Sequence, residues 1–221
     1  MRRFILSFDI STTNVGIALW NPDGILLELK HLALKVAKDV ESEDRDIVKA
    51  EIFKKYVKDY KSELETTYGD SIITNIFVEA PIPNTLVNIN TTALLLGFNG
   101  MCVYNLYDVF EVIPKRITVH EARKMFCKEF VVHKTVKGLP TSTLSFPKGW
   151  KSDEKKLYIQ KKVKALEPQI KWLYQKKHPR TLDDTSYDMS DAYVVGIIGL
   201  INCGALQEED WDFRCKDLIV K

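Results

Sequence analysis

Four carboxylates stand at the edges of apolar runs in this chain. Asp9 closes Phe4-Ile5-Leu6-Ser7-Phe8, Glu79 closes Ile76-Phe77-Val78, and Asp188 and Asp191 open the apolar run that begins at Ala192. Charged groups bordering a core are costly unless paired or bound to a metal. Four acids gathered by folding would make a divalent-metal site, and oxygen-only ligation favours Mg²⁺ or Mn²⁺ over zinc or copper. Two such ions about 4 Å apart could bind an attacking water and a leaving oxygen. Each acid also has an ordinary explanation. Asp9 and Glu79 could end strands, Asp188 could be a helix N-cap and Asp191 a first-turn acid. The joint order carries the weight: strand acid, strand acid, then Asp-x-x-Asp-Ala opening an apolar helix.

The elements that must position these acids are readable in outline. Phe4–Phe8 and Val15–Trp20 read as strands, and the Asn21-Pro22-Asp23-Gly24 turn leads to a third strand over Ile25–Leu34. Glu41–Thr67 has apolar residues near helical spacing. Ile72–Glu79 is the next strand, ended by Pro81-Ile82-Pro83. Thr91–Tyr107 reads as a helix apolar on most faces, with Gly97 and Gly100 allowing close packing in the core or at a subunit interface. A short strand is expected over Val109–Ile113. A helix over Thr118–Phe130 has capping-box spacing between Thr118 and Glu121. Val131–Gly149 reads as a long loop, and Ser152–Leu166 as a basic helix with Ser152 as N-cap. Lys176–Ser186 is a polar connection, and Asp188–Cys203 is the last major helix. This order predicts an α/β fold, a mixed five-stranded sheet with three antiparallel strands first, flanked by helices. Residues 1–221 read as a single domain with an inserted loop at about 131–151. The ends of the first and fourth strands can then lie side by side, and Asp188 and Asp191 share one helix face.

The 221 residues carry 45% hydrophobic content and a formal net charge of only +2, so the chain is no polycation. Its charge is uneven: Lys148 to Arg180 holds eleven Lys/Arg against three Asp/Glu. A basic third beside an acidic site suits a nuclease, with cations for phosphates and anions for metal. Within it, Phe146-Pro147-Lys148-Gly149-Trp150-Lys151 mixes aromatics with cations, so Lys148, Trp150 and Lys151 are candidate nucleic-acid contacts, against packing of Trp150 under the loop. Four dispersed cysteines show no zinc spacing and are expected to be reduced thiols in a cytosolic setting, with Cys102 and Cys203 in the core. No targeting segment or membrane span is expected.

The chain resembles the RuvC-like Holliday junction resolvases of the ribonuclease H-like superfamily. The matching residues are Phe8-Asp9 with Thr12-Thr13-Asn14-Val15-Gly16-Ile17-Ala18, Phe77-Val78-Glu79, Thr92-Ala93-Leu94-Leu95-Leu96-Gly97 with Gly100, and Asp188-Met189-Ser190-Asp191-Ala192. The resemblance implies a ribonuclease H-like fold and a crossover junction endodeoxyribonuclease. Its catalytic and metal-binding acids would be Asp9, Glu79, Asp188 and Asp191, holding two Mg²⁺ or Mn²⁺ ions. It further implies branched DNA as partner and a homodimer, for which the Thr91–Tyr107 helix is the candidate interface, and a cytoplasmic location agrees with the reduced cysteines. A family lysine near the scissile phosphate maps best onto Lys155, with Lys156 second. A second family lysine, after the Pro that follows the fifth strand, aligns with Thr118, so that Lys115, Arg116 or Arg123 would have to substitute, and Lys156 and Arg123 join Lys148, Trp150 and Lys151 as expected DNA contacts. An aromatic often found just after the Glu is replaced by Ile82.

Other readings stay open. A related nuclease acting on RNA or other branched DNA shares every motif. Asp9-Ile10-Ser11-Thr12-Thr13-Asn14 also looks like the first phosphate loop of actin-like and sugar-kinase phosphotransferases, though no Gly-rich adenosine motif is seen. A catalytically silent DNA-binding subunit is a third class. Asp183 and Asp184 compete for the last ligand role, and His120, His133 and His178 for a proton shuttle.

Overall fold

The computed structural model describes residues 1–81, 89–136, 139–175, 177, 183, 185–216 and 218. Strands β1 (Arg2–Ile10), β2 (Asn14–Trp20) and β3 (Leu26–Ala33) form an antiparallel meander. Helix α1 (Arg45–Tyr68) leads to β4 (Ser71–Ala80), and α2 (Ile89–Phe110) leads to β5 (Lys115–Thr118). β4 and β5 join β1 in parallel, giving a mixed five-stranded sheet in the order β3-β2-β1-β4-β5. After α3 (Val119–Phe126) and one 3₁₀ turn (Lys128–Phe130), β6 (Val131–Val136) and β7 (Leu139–Leu144) pair as a separate antiparallel hairpin. Helices α4 (Ser152–Leu166), α5 (Thr185–Asn202) and α6 (Glu208–Cys215) complete the chain.

The pleat sends alternate residues to opposite faces. Phe4, Leu6 and Phe8 of β1 join the core beneath α1 and α2, with Phe53, Val57, Tyr60, Phe98, Cys102 and Leu106. Ile5 joins the other core, with Trp20, Phe77, Phe126, Tyr193 and Val194. Ser7 shares that second face, donating to the Ala192 carbonyl at 2.8 Å while accepting from Trp20 Nε1 at 3.1 Å. By the same alternation Asp9 belongs to the face that α5 covers, and so does Glu79, two residues beyond Phe77.

In β4 this phase depends on a bulge. Phe4 pairs with Ile73 but Ile5 pairs with Asn75, so Thr74 is extra, and its hydroxyl donates to the Phe4 carbonyl at 3.2 Å. The bulge lets Ile73, Ile76 and Val78 all bury in one core despite their uneven spacing.

α5 rests on the sheet where side chains are missing. A Cβ on Gly16 would lie 1.9 Å from the Asp188 carbonyl oxygen, and one on Gly199 would lie 2.2 Å from the Phe77 ring. Gly196 meets Ser7 and Trp20 in the same way, at 2.6 Å.

Several sequence expectations change. Val109–Ile113 is not a strand: α2 continues to Phe110, because Phe98, Cys102, Leu106, Val109 and Phe110 bury at helical spacing. The fifth strand lies further on, where only Ile117 of its four residues is buried. The expected long loop over Val131–Gly149 holds the β6–β7 hairpin, whose β-branched residues outweigh its Gly, Pro and Ser. The helix from Val119 ends at Phe126 rather than Phe130. Lys151, not Ser152, caps α4, its backbone N–H donating to Glu154 at 2.6 Å. Gly97 and Gly100 meet no other element among the described residues of the chain, so they do not serve packing in its core. The Thr118–Glu121 capping box is present as expected. All four cysteines are free; Cys102 is buried and Cys203 only half-buried. Among the described residues no helix is long and apolar enough to cross a membrane.

Replacing Gly16 by Ala pushes a methyl into the α5 backbone. The expected cost is about 1–3 kcal/mol of unfolding free energy, measured by urea denaturation of the variant against wild type.

Candidate active site

Asp9 and Glu79 end neighbouring parallel strands, one rung beyond the Phe8–Val78 pair, and face α5. Asp188 and Asp191 stand in the first two turns of α5, above Gly16, which pairs with Asp9. The structure thus brings all four acids to one place, and Asp9, Glu79 and Asp188 hold their protons more tightly for it. Burial raises Asp9 well above the usual carboxylate range, and repulsion from Glu79, Asp191 and Asp188 adds to the effect. Glu79 is pushed up to about 8 by burial and by Asp191, against the pull of Arg123 and Lys156. Asp188 is pushed up to about 6 by burial and by Asp191.

Two cations answer this charge. Arg123, on α3, donates from Nη2 to both oxygens of Asp191, at 3.1 and 3.4 Å. Arg123 was expected to be a DNA contact; it is instead largely buried within the acid cluster. Lys156, on α4, attracts Asp9, Glu79 and Asp188 in their charged forms. Of the two lysines weighed from sequence, Lys155 points elsewhere, its Nζ 5.8 Å from the centre of the Phe146 ring. Lys156 is the one that faces the carboxylates.

His31 went unnoticed in sequence. It pairs with Gly16 across β2 and β3 and so shares the site face. Its Nε2 is 3.1 Å from Asn14 Oδ1 and 3.9 Å from Asp188 Oδ2, and burial lowers its pKa. The only sequence signal was register: His31 lies opposite the glycine that lies opposite Asp9.

Asp188 is not an N-cap, since α5 begins three residues earlier. Asp183 does the capping work, its carboxylate accepting from the Thr185 backbone N–H at 3.0 Å and from its hydroxyl at 2.7 Å. Asp184, His178 and Ile82 lie outside the described residues. His120 and His133 are exposed. Trp150 packs with Phe130, Phe146 and Tyr158, at ring-centre distances of 5.5–6.0 Å, at the base of the hairpin. Lys148 and Lys151 beside it are exposed. Part of the basic stretch is structural: Lys162 is buried, donating to the Phe126 carbonyl and to Glu129.

As the side chains stand, no three His, Cys, Asp or Glu groups among the described residues are disposed to hold one metal ion. Arg123 holds Asp191 instead. The donor set nevertheless fits a hard divalent cation: it consists of carboxylate oxygens, and burial first, then mutual repulsion, raises the proton affinity of Asp9 and Glu79.

No family model matches the sequence, and no curated protein matches it. Among solved structures the chain is similar to T. thermophilus RuvC in complex with a Holliday junction substrate. That match has 10% identity and a TM-score of 0.49, covering 92% of this chain and 97% of that one. A second Thermus thermophilus RuvC structure matches with 10% identity and a TM-score of 0.46, over 91% and 97%. A ROK hexokinase from Thermus thermophilus matches with 12% identity and a TM-score of 0.32, over 58% of this chain and 39% of that one. Likenesses this distant decide nothing about activity.

The raised acids have a consequence for stability. Glu79 and Asp188 hold protons in the folded chain that they release when unfolded, so the folded state binds more protons between about pH 4 and 8. With EDTA present, stability is expected to fall as pH rises through this window. Glu79→Gln is expected to flatten the fall and to raise the melting temperature at pH 8, as calorimetry would read.

Proposed function

We propose that this protein is a metal-dependent, structure-selective DNA endonuclease of ribonuclease H-like fold that resolves four-way junctions. The observation that carries the hydrolytic part is the meeting of Asp9, Glu79, Asp188 and Asp191 at one sheet end, where they repel one another and lie beside Lys156. Asp9, Glu79, Asp188 and Asp191 would hold two Mg²⁺ or Mn²⁺ ions, which when bound supply a Lewis acid for the attacking water and the leaving 3′ oxygen. Lys156 brings a fixed positive charge to where a backbone phosphate would lie, able to stabilise charge developing on its oxygens. His31, held by Asn14, stands beside Asp188. Lys148 and Lys151, with no acidic residue between Glu129 and Asp153, offer cations to a polyanion.

The branched substrate is supported by the motif resemblance. Twofold symmetry suits the paired cuts of a resolvase, and α2 has the surface for it: Leu96, Tyr104 and Tyr107 are exposed opposite its buried stripe. Sedimentation is expected to show a dimer that Leu96→Glu combined with Tyr104→Glu reduces to a monomer.

Cleavage of a four-way junction, a flap, a duplex and an RNA–DNA hybrid under Mg²⁺ separates the substrates. The junction is expected to be cut into 5′-phosphate and 3′-hydroxyl ends, at least about a hundredfold less by Asp9→Asn or Lys156→Ala. Lys155→Ala should stay near wild type. Equal cutting of all four substrates would sink the junction assignment, and undiminished cutting by Asp9→Asn would sink the metal site.

A further inference from the structure

Arg123 stands among the acids in a position that is costly to hold. Its guanidinium is largely buried, and its Nε has no hydrogen-bond partner among the described residues. Among the described residues it makes two hydrogen bonds in the cluster, both from Nη2 to Asp191, while Glu79 and Asp9 act on it through charge. An underpaired buried guanidinium is unfavourable on its own account. What it offers is charge: it sits beside Asp191 among acids that repel one another, where the proton affinities of Asp9 and Glu79 are already raised. The backbone beneath Arg123 is firmly set. α3 follows β5 with no intervening residue and starts in the Thr118–Glu121 capping box, so the arginine is keyed to the strand beside Glu79.

We propose that Arg123 is a built-in counter-cation that holds the Asp191 end of the carboxylate cluster, and that a divalent cation must displace it from Asp191 in order to bind. The inference rests on the metal-dependent reading above. Guanidinium and metal then compete for the same two carboxylate oxygens. The arginine keeps four repelling acids folded together without metal and sets how tightly metal binds. It is a positioning residue, acting on the site through Asp191.

The test is Mn²⁺ binding to the full chain without DNA, followed by the electron paramagnetic resonance of free Mn²⁺, for wild type, Arg123→Gln and Arg123→Lys. Arg123→Gln is expected to melt at lower temperature in EDTA yet to bind Mn²⁺ about tenfold more tightly. Arg123→Lys keeps the charge but loses the planar fork, and should fall between the two. If Arg123→Gln does not fold, Arg123→Lys carries the test. Binding by a folded variant no tighter than wild type overturns the inference. With ¹⁵N-labelled arginine, the Arg123 guanidinium resonances of the wild type are expected to shift on adding Mg²⁺, and unchanged resonances at saturation overturn displacement directly. No Mn²⁺ binding by any of the three proteins would instead overturn the metal reading, and this inference with it.

Discussion

The architecture turns on how closely α5 approaches the sheet. Interiors are packed tightly enough that a single methyl group matters, and along this contact there is no room for one. At Gly16 the helix backbone comes down onto the strand backbone; at Gly199 the helix seats on the Phe77 ring. Between them Ser7 links helix to sheet, taking the Trp20 indole proton and giving its own to the Ala192 carbonyl. Contacts spread along the helix fix its height and its rotation together. That is what carries Asp188 and Asp191 to the level of Asp9 and Glu79.

An arrangement that forces four acids together works against folding, and the surrounding elements reduce the strain from different directions. Arg123 reaches in from α3 and Lys156 from α4, while β3 supplies a histidine beside Asp188. Because each comes from a separate element, the site senses the packing of nearly the whole molecule on this face. The Lys162–Glu129 pair, distant from the acids, belongs to the same scheme. It ties α4 to the turn after α3 and so fixes the spacing between the two helices that bear the cations.

How far this was legible in the sequence varied with the kind of signal. Asp9, Glu79, Asp188 and Asp191 could be picked out because each borders an apolar run, and such runs mark buried elements. The meander and the Thr118 cap were legible because turn and cap chemistry is local. The fifth strand was not: Lys115-Arg116-Ile117-Thr118 buries one side chain and leaves no periodic trace. The hairpin was hidden by composition, since Gly, Pro and Ser suggest loops even where valines and threonines pair. Lys156 could not be told from Lys155 until helix rotation was known. His31 depended on strand register, which sequence states only indirectly.

The bulge at Thr74 bears on something other than stability. It divides β4 into two stretches phased independently, the first on Arg2–Phe4 and the second on Ile5–Phe8. The orientation of Glu79 is therefore set by its neighbours on β1 rather than by its distance from the strand's start. A gain or loss of one residue near Thr74 can be absorbed at the bulge without turning the carboxylate away from Asp9. The length of the strand upstream of the bulge is thus uncoupled from the direction in which Glu79 points.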